Sequence, residues 1–267
     1  MQTIVIKYGG SVRDEPTFLL EEIADYASEG HRIVVVHGGG PEITQYLARL
    51  GCHSAFENGQ RVTDAAALDV VEMVLAGRVG KRLVRALQAF GACPVGISGE
   101  DGSLIRALPY SDDERLGFVG RVDQVDISLL NTLLAGGFLP VVAPLGLDAT
   151  GSVRNINADF VAGAIAGALH ADTFILATDV PGVKETSQSA YAIRELTVEA
   201  ALRLIDEAVV TGGMVPKVLA AIEAVCSGAQ DAYIVDGRQD GILDAVLRKD
   251  RIGTRIAQTD QKEMRHA

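Results

Sequence analysis

The sequence predicts an α/β fold in which helices cover a parallel sheet, and two segments near its start carry that prediction. Ile4-Val5-Ile6-Lys7-Tyr8-Gly9-Gly10 is an apolar run ending in a lysine and two glycines, and Ile33-Val34-Val35-Val36-His37-Gly38-Gly39-Gly40 repeats the design. A short run that is apolar at every position reads as a strand buried on both faces, the pattern of a parallel sheet under helices. Glycines at the end of such a strand let backbone N–H groups approach an anion closely. Two glycine turns at one sheet edge point to a pocket for a phosphorylated ligand, with Lys7 as a cation in it.

Composition narrows the function. The chain has 267 residues, of which 48% are hydrophobic, 22% charged and 5% aromatic, with no tryptophan. That suits an α/β protein of one large domain or two packed lobes. The net charge of −11 argues against nucleic-acid and anionic-membrane partners. Cys52, Cys93 and Cys226 form no metal or redox motif and fit a reducing cytosol, and the histidines are scattered, so no metal site is expected. Strand-like sequence from the first residues predicts no signal peptide, and no apolar stretch is long enough to span a bilayer. The expected location is the cytoplasm.

Strand and helix signals alternate along the chain. After the first strand, 15–29 has helical periodicity, with Phe18, Leu19, Leu20, Ile23 and Tyr26 available for burial. The second strand runs into a helix over 41–50. Residues 53–63 are polar and turn-rich, and Thr63 or Asp64 caps the helix that follows. Gly80-Lys81 is expected to interrupt that helix before it continues over 82–90. A strand over 92–97 precedes hairpins in 99–124, which hold Gly, Asp and Pro punctuation. Then come a helix over 127–134, a buried strand over 138–143 and, after another turn, an alanine- and glycine-rich helix over 160–169. A strand over 173–177, helices over 196–206 and to about 226, a strand over 231–235, a helix over 242–247 and a closing strand over 252–256 complete the order. Two glycine-rich turns lie on each side of residue 170, which places a lobe boundary there.

Familiar phosphate motifs are absent. Gly80-Lys81-Arg82 lacks the hydroxyl residue of a P-loop, and no Gly-x-Gly-x-x-Gly follows a strand. Four pieces remain. Lys7-Tyr8-Gly9-Gly10 is either a phosphoryl contact or a lysine snorkelling from a strand end. Gly38-Gly39-Gly40 is either an anion cradle or a tight strand-to-helix turn. In Asn155-Ile156-Asn157-Ala158-Asp159 the two amides point the same way from an extended segment, which suits a carboxylate or amide ligand. Asp159 either caps the next helix or orients nearby lysines. Gly212-Gly213-Met214-Val215-Pro216-Lys217 sets glycines and a lysine at a helix start.

In order, Lys-Tyr-Gly-Gly, His-Gly-Gly-Gly-Pro, Asn-Gly-x-Arg-Val-Thr-Asp, Asn-Ile-Asn-Ala-Asp, Thr-Asp-Val-Pro-Gly-Val and Gly-Gly-Met-x-x-Lys resemble the acetylglutamate kinases of the amino acid kinase family, over nearly the whole chain. The resemblance implies a three-layer αβα sandwich with a central, mainly parallel sheet. It implies an N-terminal lobe, 1–170, for the acyl acceptor and dimerisation, and a C-terminal lobe, 171–267, for ATP. The implied reaction phosphorylates the side-chain carboxylate of N-acetyl-L-glutamate with ATP and Mg²⁺. Lys7 and Lys217 would contact the transferring group and the nucleotide phosphates, Asp159 would hold both lysines, and Gly10, Gly38 and Gly39 would line the same charge. Arg61, Asn155 and Asn157, with Gly38 and Gly39, would bind the acceptor; Thr178, Asp179, Gly212 and Gly213 would bind nucleotide. Two departures stand out: Gly80 where relatives often carry asparagine, and Lys184 where an apolar residue is commoner. Arginine-inhibited relatives carry an extra N-terminal helix, so the expectation here is an arginine-insensitive homodimer. The other readings are a kinase of carrier-protein-linked aminoadipate or glutamate, and a non-catalytic nucleotide or amino-acid sensor.

Overall fold

The computed structural model describes residues 1–9, 18–52, 55–57, 60–111, 114–186, 189 and 191–258. The N-terminal half runs β1 (Thr3–Tyr8), α1 (Phe18–Ser28), β2 (Arg32–His37), α2 (Gly40–Arg49), β3 (Phe56–Glu57), β4 (Gln60–Arg61), α3 (Ala65–Glu72), a π-helical turn (Met73–Val79), α4 (Gly80–Ala89), β5 (Pro94–Ser98), β6 (Ile105–Pro109), β7 (Val119–Val125), α5 (Ser128–Ala135) and β8 (Leu139–Ala143). It continues with β9 (Leu145–Leu147), β10 (Val153–Ile156), α6 (Ala158–Ala168), β11 (Thr173–Thr178), β12 (Glu195–Thr197), α7 (Val198–Asp206), α8 (Met214–Cys226), β13 (Asp231–Asp236), α9 (Ile242–Leu247) and β14 (Thr254–Ala257).

Eight strands form one sheet in the order β12-β14-β13-β11-β1-β2-β8-β5. β13, β11, β1, β2, β8 and β5 are parallel, and β14 runs against β13. β1 lies in register between β2 and β11, Lys7 opposite Val36 and Leu176, so the sheet is continuous across residue 170. The period of two sorts the strand side chains to two cores. Val5, Val34, Val36 and Leu176 pack with α5, α6 and α8 on one face, while Ile4, Ile6, Ile33, Val35 and Ile175 pack with α1, α4 and α9 on the other. The αβα sandwich follows directly from strands that are apolar at every position.

Outside this sheet, β10, β7, β6 and β9 close into a small barrel, a non-local pairing that joins the expected hairpin to β9 and β10. Three local expectations need correcting. Gly80-Lys81 does not break the helix: α3, the π turn and α4 run on without interruption, and the glycine sits at the π-to-α junction, where its N–H donates to the Leu75 carbonyl. Phe18 is exposed rather than core, whereas Leu19, Leu20 and Ile23 are buried. Residues 196–197 belong to β12, and Thr197 caps α7. The expected helix start at 15–17 and Gly10 lie outside the described residues.

Candidate active site

All six parallel strands end at the same edge of the sheet, where α/β folds place their ligands. Lys7 occupies the next-to-last position of β1, and His37 the last of β2. From the other side come the first turns of α6 and α8. These two helices touch backbone to backbone, because Gly163 and Gly167 of α6 face Ala220, Ala224 and Ser227. A Cβ on Gly163 would lie 2.7 Å from the Ala220 carbonyl oxygen. Asp159 stands one helical turn before Gly163, and Lys217 one turn before Ala220. The small-residue seam therefore sets the distance between a carboxylate and an ammonium. Pro216 is tolerated beside Lys217 because the first turn of a helix needs no N–H from it.

The outcome is a three-member cluster. Lys7 Nζ lies 2.7 Å from Asp159 Oδ1, and Lys217 Nζ lies 2.9 Å from Oδ2. Lys7 is 8% exposed and Asp159 4%. Burial pushes the Asp159 carboxyl upward, but the two ammonium groups outweigh it and hold the carboxyl below the usual range. Burial lowers the Lys7 ammonium, with Lys217 adding to the effect, against the pull of Asp159 and Asp179. One carboxylate thus compensates two cations, so the cluster carries net positive charge in a chain that is strongly negative overall.

Asp159 is not the cap of α6. Asn157 takes that role, its Oδ1 accepting from the Asp159 N–H at 2.8 Å. The Asp159 carboxylate is thereby freed for the lysines.

Beside the cluster is a cavity of about 170 Å³ lined by Gly38, Gly39 and Gly40, by Gln60 and Arg61, and by Asn155 and Asn157, among others. It brings together the five residues expected to bind the acceptor, Gly38, Gly39, Arg61, Asn155 and Asn157. Arg61 is buried, donates from Nη2 to the Gly40 carbonyl (2.9 Å) and to Thr44 Oγ1 (2.8 Å), and stacks 4.6 Å over the Phe56 ring. Burial lowers its pKa from the ordinary value. Asn155 Nδ2 donates to Thr63 Oγ1 (3.0 Å), which in turn donates to the Arg61 carbonyl (2.7 Å). Thr63, part of the Arg-Val-Thr-Asp motif, is fully buried, and the cap of α3 is Asp64, whose Oδ1 accepts from the Ala67 N–H.

At the end expected to hold nucleotide, Thr178 closes β11. Its hydroxyl donates to the Val180 carbonyl and accepts from the Val180 N–H, so it shapes the turn carrying Asp179. The Asp179 carbonyl accepts from Arg238 Nη2 at 2.8 Å, and Arg238 also forks onto Asp236 with two bonds of 2.8 Å. Arg238 holds Asp236 below the usual carboxylate range. Nothing in the sequence singled out Arg238. Gly212 has a φ of 55°, which favours glycine, and a Cβ on Gly212 or Gly213 would meet open space. Lys81, the lysine of the false P-loop, donates to the Gly96 carbonyl of β5.

Paired lysines bridged by a buried carboxylate, with helix N-termini and glycine turns on either side, set fixed positive charge and backbone N–H donors in one place, the chemistry that suits a phosphorylated ligand. A model of the amino acid kinase family matches residues 2–236. An acetylglutamate kinase of Nostoc punctiforme is 43% identical over 260 residues, covering 96% of this chain and 87% of the relative. A solved structure from Streptococcus mutans superposes with a TM-score of 0.84 at 31% identity, covering 96% of this chain and 99% of that one. Carbamate kinase from Giardia lamblia, bound to AMP-PNP, shares the fold at a TM-score of 0.74 and 18% identity, covering 97% and 99%. The chain belongs to the amino acid kinase family, in its acetylglutamate kinase branch. No helix among the described residues is long and apolar enough to cross a membrane.

Proposed function

We propose that this chain transfers the γ-phosphoryl group of ATP to the side-chain carboxylate of N-acetyl-L-glutamate, a step of arginine biosynthesis. The observation that carries the reading is the Lys7–Asp159–Lys217 cluster beside a small cavity walled by Arg61. A carboxylate oxygen attacks the γ-phosphorus, the bond to the β,γ-bridging oxygen breaks, and ADP leaves with that electron pair. The attacking carboxylate is ionised at neutral pH, so the reaction needs no general base. Its barrier is the approach of two anions, and alignment plus fixed positive charge lowers it.

Lys7 meets the phosphoryl oxygens from the acceptor side, and Lys217 meets them from the leaving side. Asp159 holds both ammonium groups in place. The Gly38 and Gly39 turn lines the same charge; Gly10, expected beside them, lies outside the described residues. Arg61 offers a guanidinium fork to the α-carboxylate of the acceptor, and Asn155 and Asn157 meet its amide. Thr178, Asp179, Gly212 and Gly213 belong to the nucleotide. Residues 1–170 then form the acceptor and dimerisation lobe and 171–267 the ATP lobe of a cytoplasmic homodimer.

Among the described residues no group of three His, Cys, Asp or Glu side chains could hold a metal ion. Asp159 is committed to two lysines, so the donors present suit phosphates rather than a resident metal. Mg²⁺ would arrive with the nucleotide, held mostly by its phosphates and waters, and would supply charge neutralisation.

The test is ADP release with N-acetylglutamate as sole acceptor and hydroxylamine as trap. Acceptor-dependent ADP and a hydroxamate are expected. ATP binding without acceptor-dependent turnover would favour a sensor, and faster turnover on a carrier-linked aminoadipate would reassign the acceptor.

A further inference from the structure

His37 ends β2 with 1% of its surface exposed, and its Nδ1 lies 3.1 Å from the Gly38 carbonyl oxygen. A carbonyl only accepts, so Nδ1 carries the proton and Nε2 carries the lone pair. Nε2 is buried with no hydrogen-bond partner among the described residues and faces Gly80, whose Cβ, if it had one, would sit 3.2 Å away. Burial drives the imidazole pKa down to about 4, which keeps the ring neutral with one defined donor.

A trans peptide points its C=O and the next N–H to opposite sides. Holding the Gly38 carbonyl against His37 therefore turns the Gly39 N–H away from the imidazole. Gly39 lines the acceptor cavity, and its N–H meets no acceptor among the described residues. The π turn supports the same loop from behind: a Cβ on Gly39 would come within 2.6 Å of Leu75 Cδ2 and 3.4 Å of Val79 Cγ2. Glu42, buried in the first turn of α2, pairs with Arg82 of α4. Three contacts thus clamp residues 37–42 to the helical run 73–82. π turns recur where a helix must present irregular geometry to a functional site.

We propose that His37 is a positioning residue for phosphoryl transfer, its Nδ1–H and the π turn together fixing the Gly38–Gly39 peptide so that the Gly39 N–H faces the transferring group. The inference rests on the kinase reading above, and its tests are arranged to fail separately from it. His37→Phe keeps the bulk and removes the donor. It should lower kcat by roughly 10²-fold, the scale of one lost or misplaced oxyanion donor, with little change in the acceptor KM. His37→Asn returns an N–H close to the position of Nδ1 and should recover most of that loss.

The second readout needs no turnover. ¹⁵N-histidine spectra of the wild-type protein, with the His37 signals assigned by their loss in His37→Asn, should show a neutral ring protonated at Nδ1 at pH 7. An Nε2-protonated or charged ring overturns the proposal, as does a folded His37→Phe with normal kcat. Equal damage from both substitutions, or an effect confined to KM, also overturns it. Wild-type protein with no acceptor-dependent ADP release would instead remove the kinase reading and leave the ring assignment standing or falling by its spectrum.

Discussion

Asp159→Asn is the substitution that probes the site most directly, because it removes one charge and leaves two opposite charges behind. Both ammonium groups touch the same carboxylate, at 2.7 Å and 2.9 Å, so they sit no more than about 8 Å apart. At that distance two like charges repel by about 2 kcal/mol at an effective dielectric constant near 20. Breaking a buried ion pair from one side costs about 3–5 kcal/mol, and the partial exposure of Lys217 argues for the low end. About 3 kcal/mol corresponds to roughly 6–12 °C in the melting temperature of a chain this size. Turnover should fall by at least roughly 10²-fold, since both lysines lose their fixed positions.

Thermal unfolding followed by circular dichroism, with and without AMP-PNP and Mg²⁺, separates the two effects. If nucleotide phosphates lie between the lysines as proposed, they restore negative charge there, so the nucleotide should raise the melting temperature of Asp159→Asn by more than that of wild type. A variant that melts within about 2 °C of wild type and turns over within about threefold of it would refute the claim that this carboxylate organises the lysines.

Arg61→Ala should raise the acceptor KM by roughly 10–100-fold with a smaller change in kcat, the value of a charge-assisted bond to an anion, read from steady-state kinetics. Gly163→Ala should destabilise by about 1–3 kcal/mol in urea unfolding, because its Cβ meets a backbone oxygen at 2.7 Å that no rotamer change can move. It should also lower kcat by wedging Asp159 from Lys217, and an unchanged kcat would detach the helix seam from catalysis. Acid sensitivity should show the His37 contribution. The folded ring titrates at about 4, against about 6.5 when unfolded, so the unfolded chain takes up a proton first and stability falls as pH drops through that window. At pH 4.5 the loss is about 2–3 kcal/mol, and it should be missing from His37→Asn compared by denaturant titration.

The sheet was legible because β1, β2, β8 and β11 are apolar at consecutive positions, and only burial on two faces rewards that pattern. The lysines and glycines were legible as short motifs at strand and helix ends. The barrel of β6, β7, β9 and β10 was not, since Gly and Asp punctuation marks turns but does not say which distant strand closes the ring. The π turn hid for a different reason: one extra residue in a helix leaves the apolar spacing on either side intact, and Gly80 then looks like a breaker. Asn157 and Asp159 both suit a cap, and only the backbone shows that the amide took it and released the carboxylate. Glu42 stands in the first turn of α2, where an acidic residue is ordinary, yet it is buried against Arg82 from a helix forty residues away, a pairing no local pattern shows.

The charge arrangement explains why an acidic protein can bind two anionic reactants. Long-range repulsion from a net charge of −11 is screened within about 10 Å of solvent at ordinary salt. Within the cleft the near field is set by Lys7, Lys217, the N-termini of α2, α6 and α8, and the guanidinium of Arg61. Asp159 keeps that field from being excessive. Burial and the neighbouring Lys217 charge lower the Lys7 ammonium, and the Asp159 carboxylate opposes both by its charge and its hydrogen bond. The same carboxylate would compete with phosphate if it were mobile, and this is where the α6–α8 seam matters: Gly163 and Gly167 fix its height against Lys217 at a backbone contact that side-chain motion cannot relax.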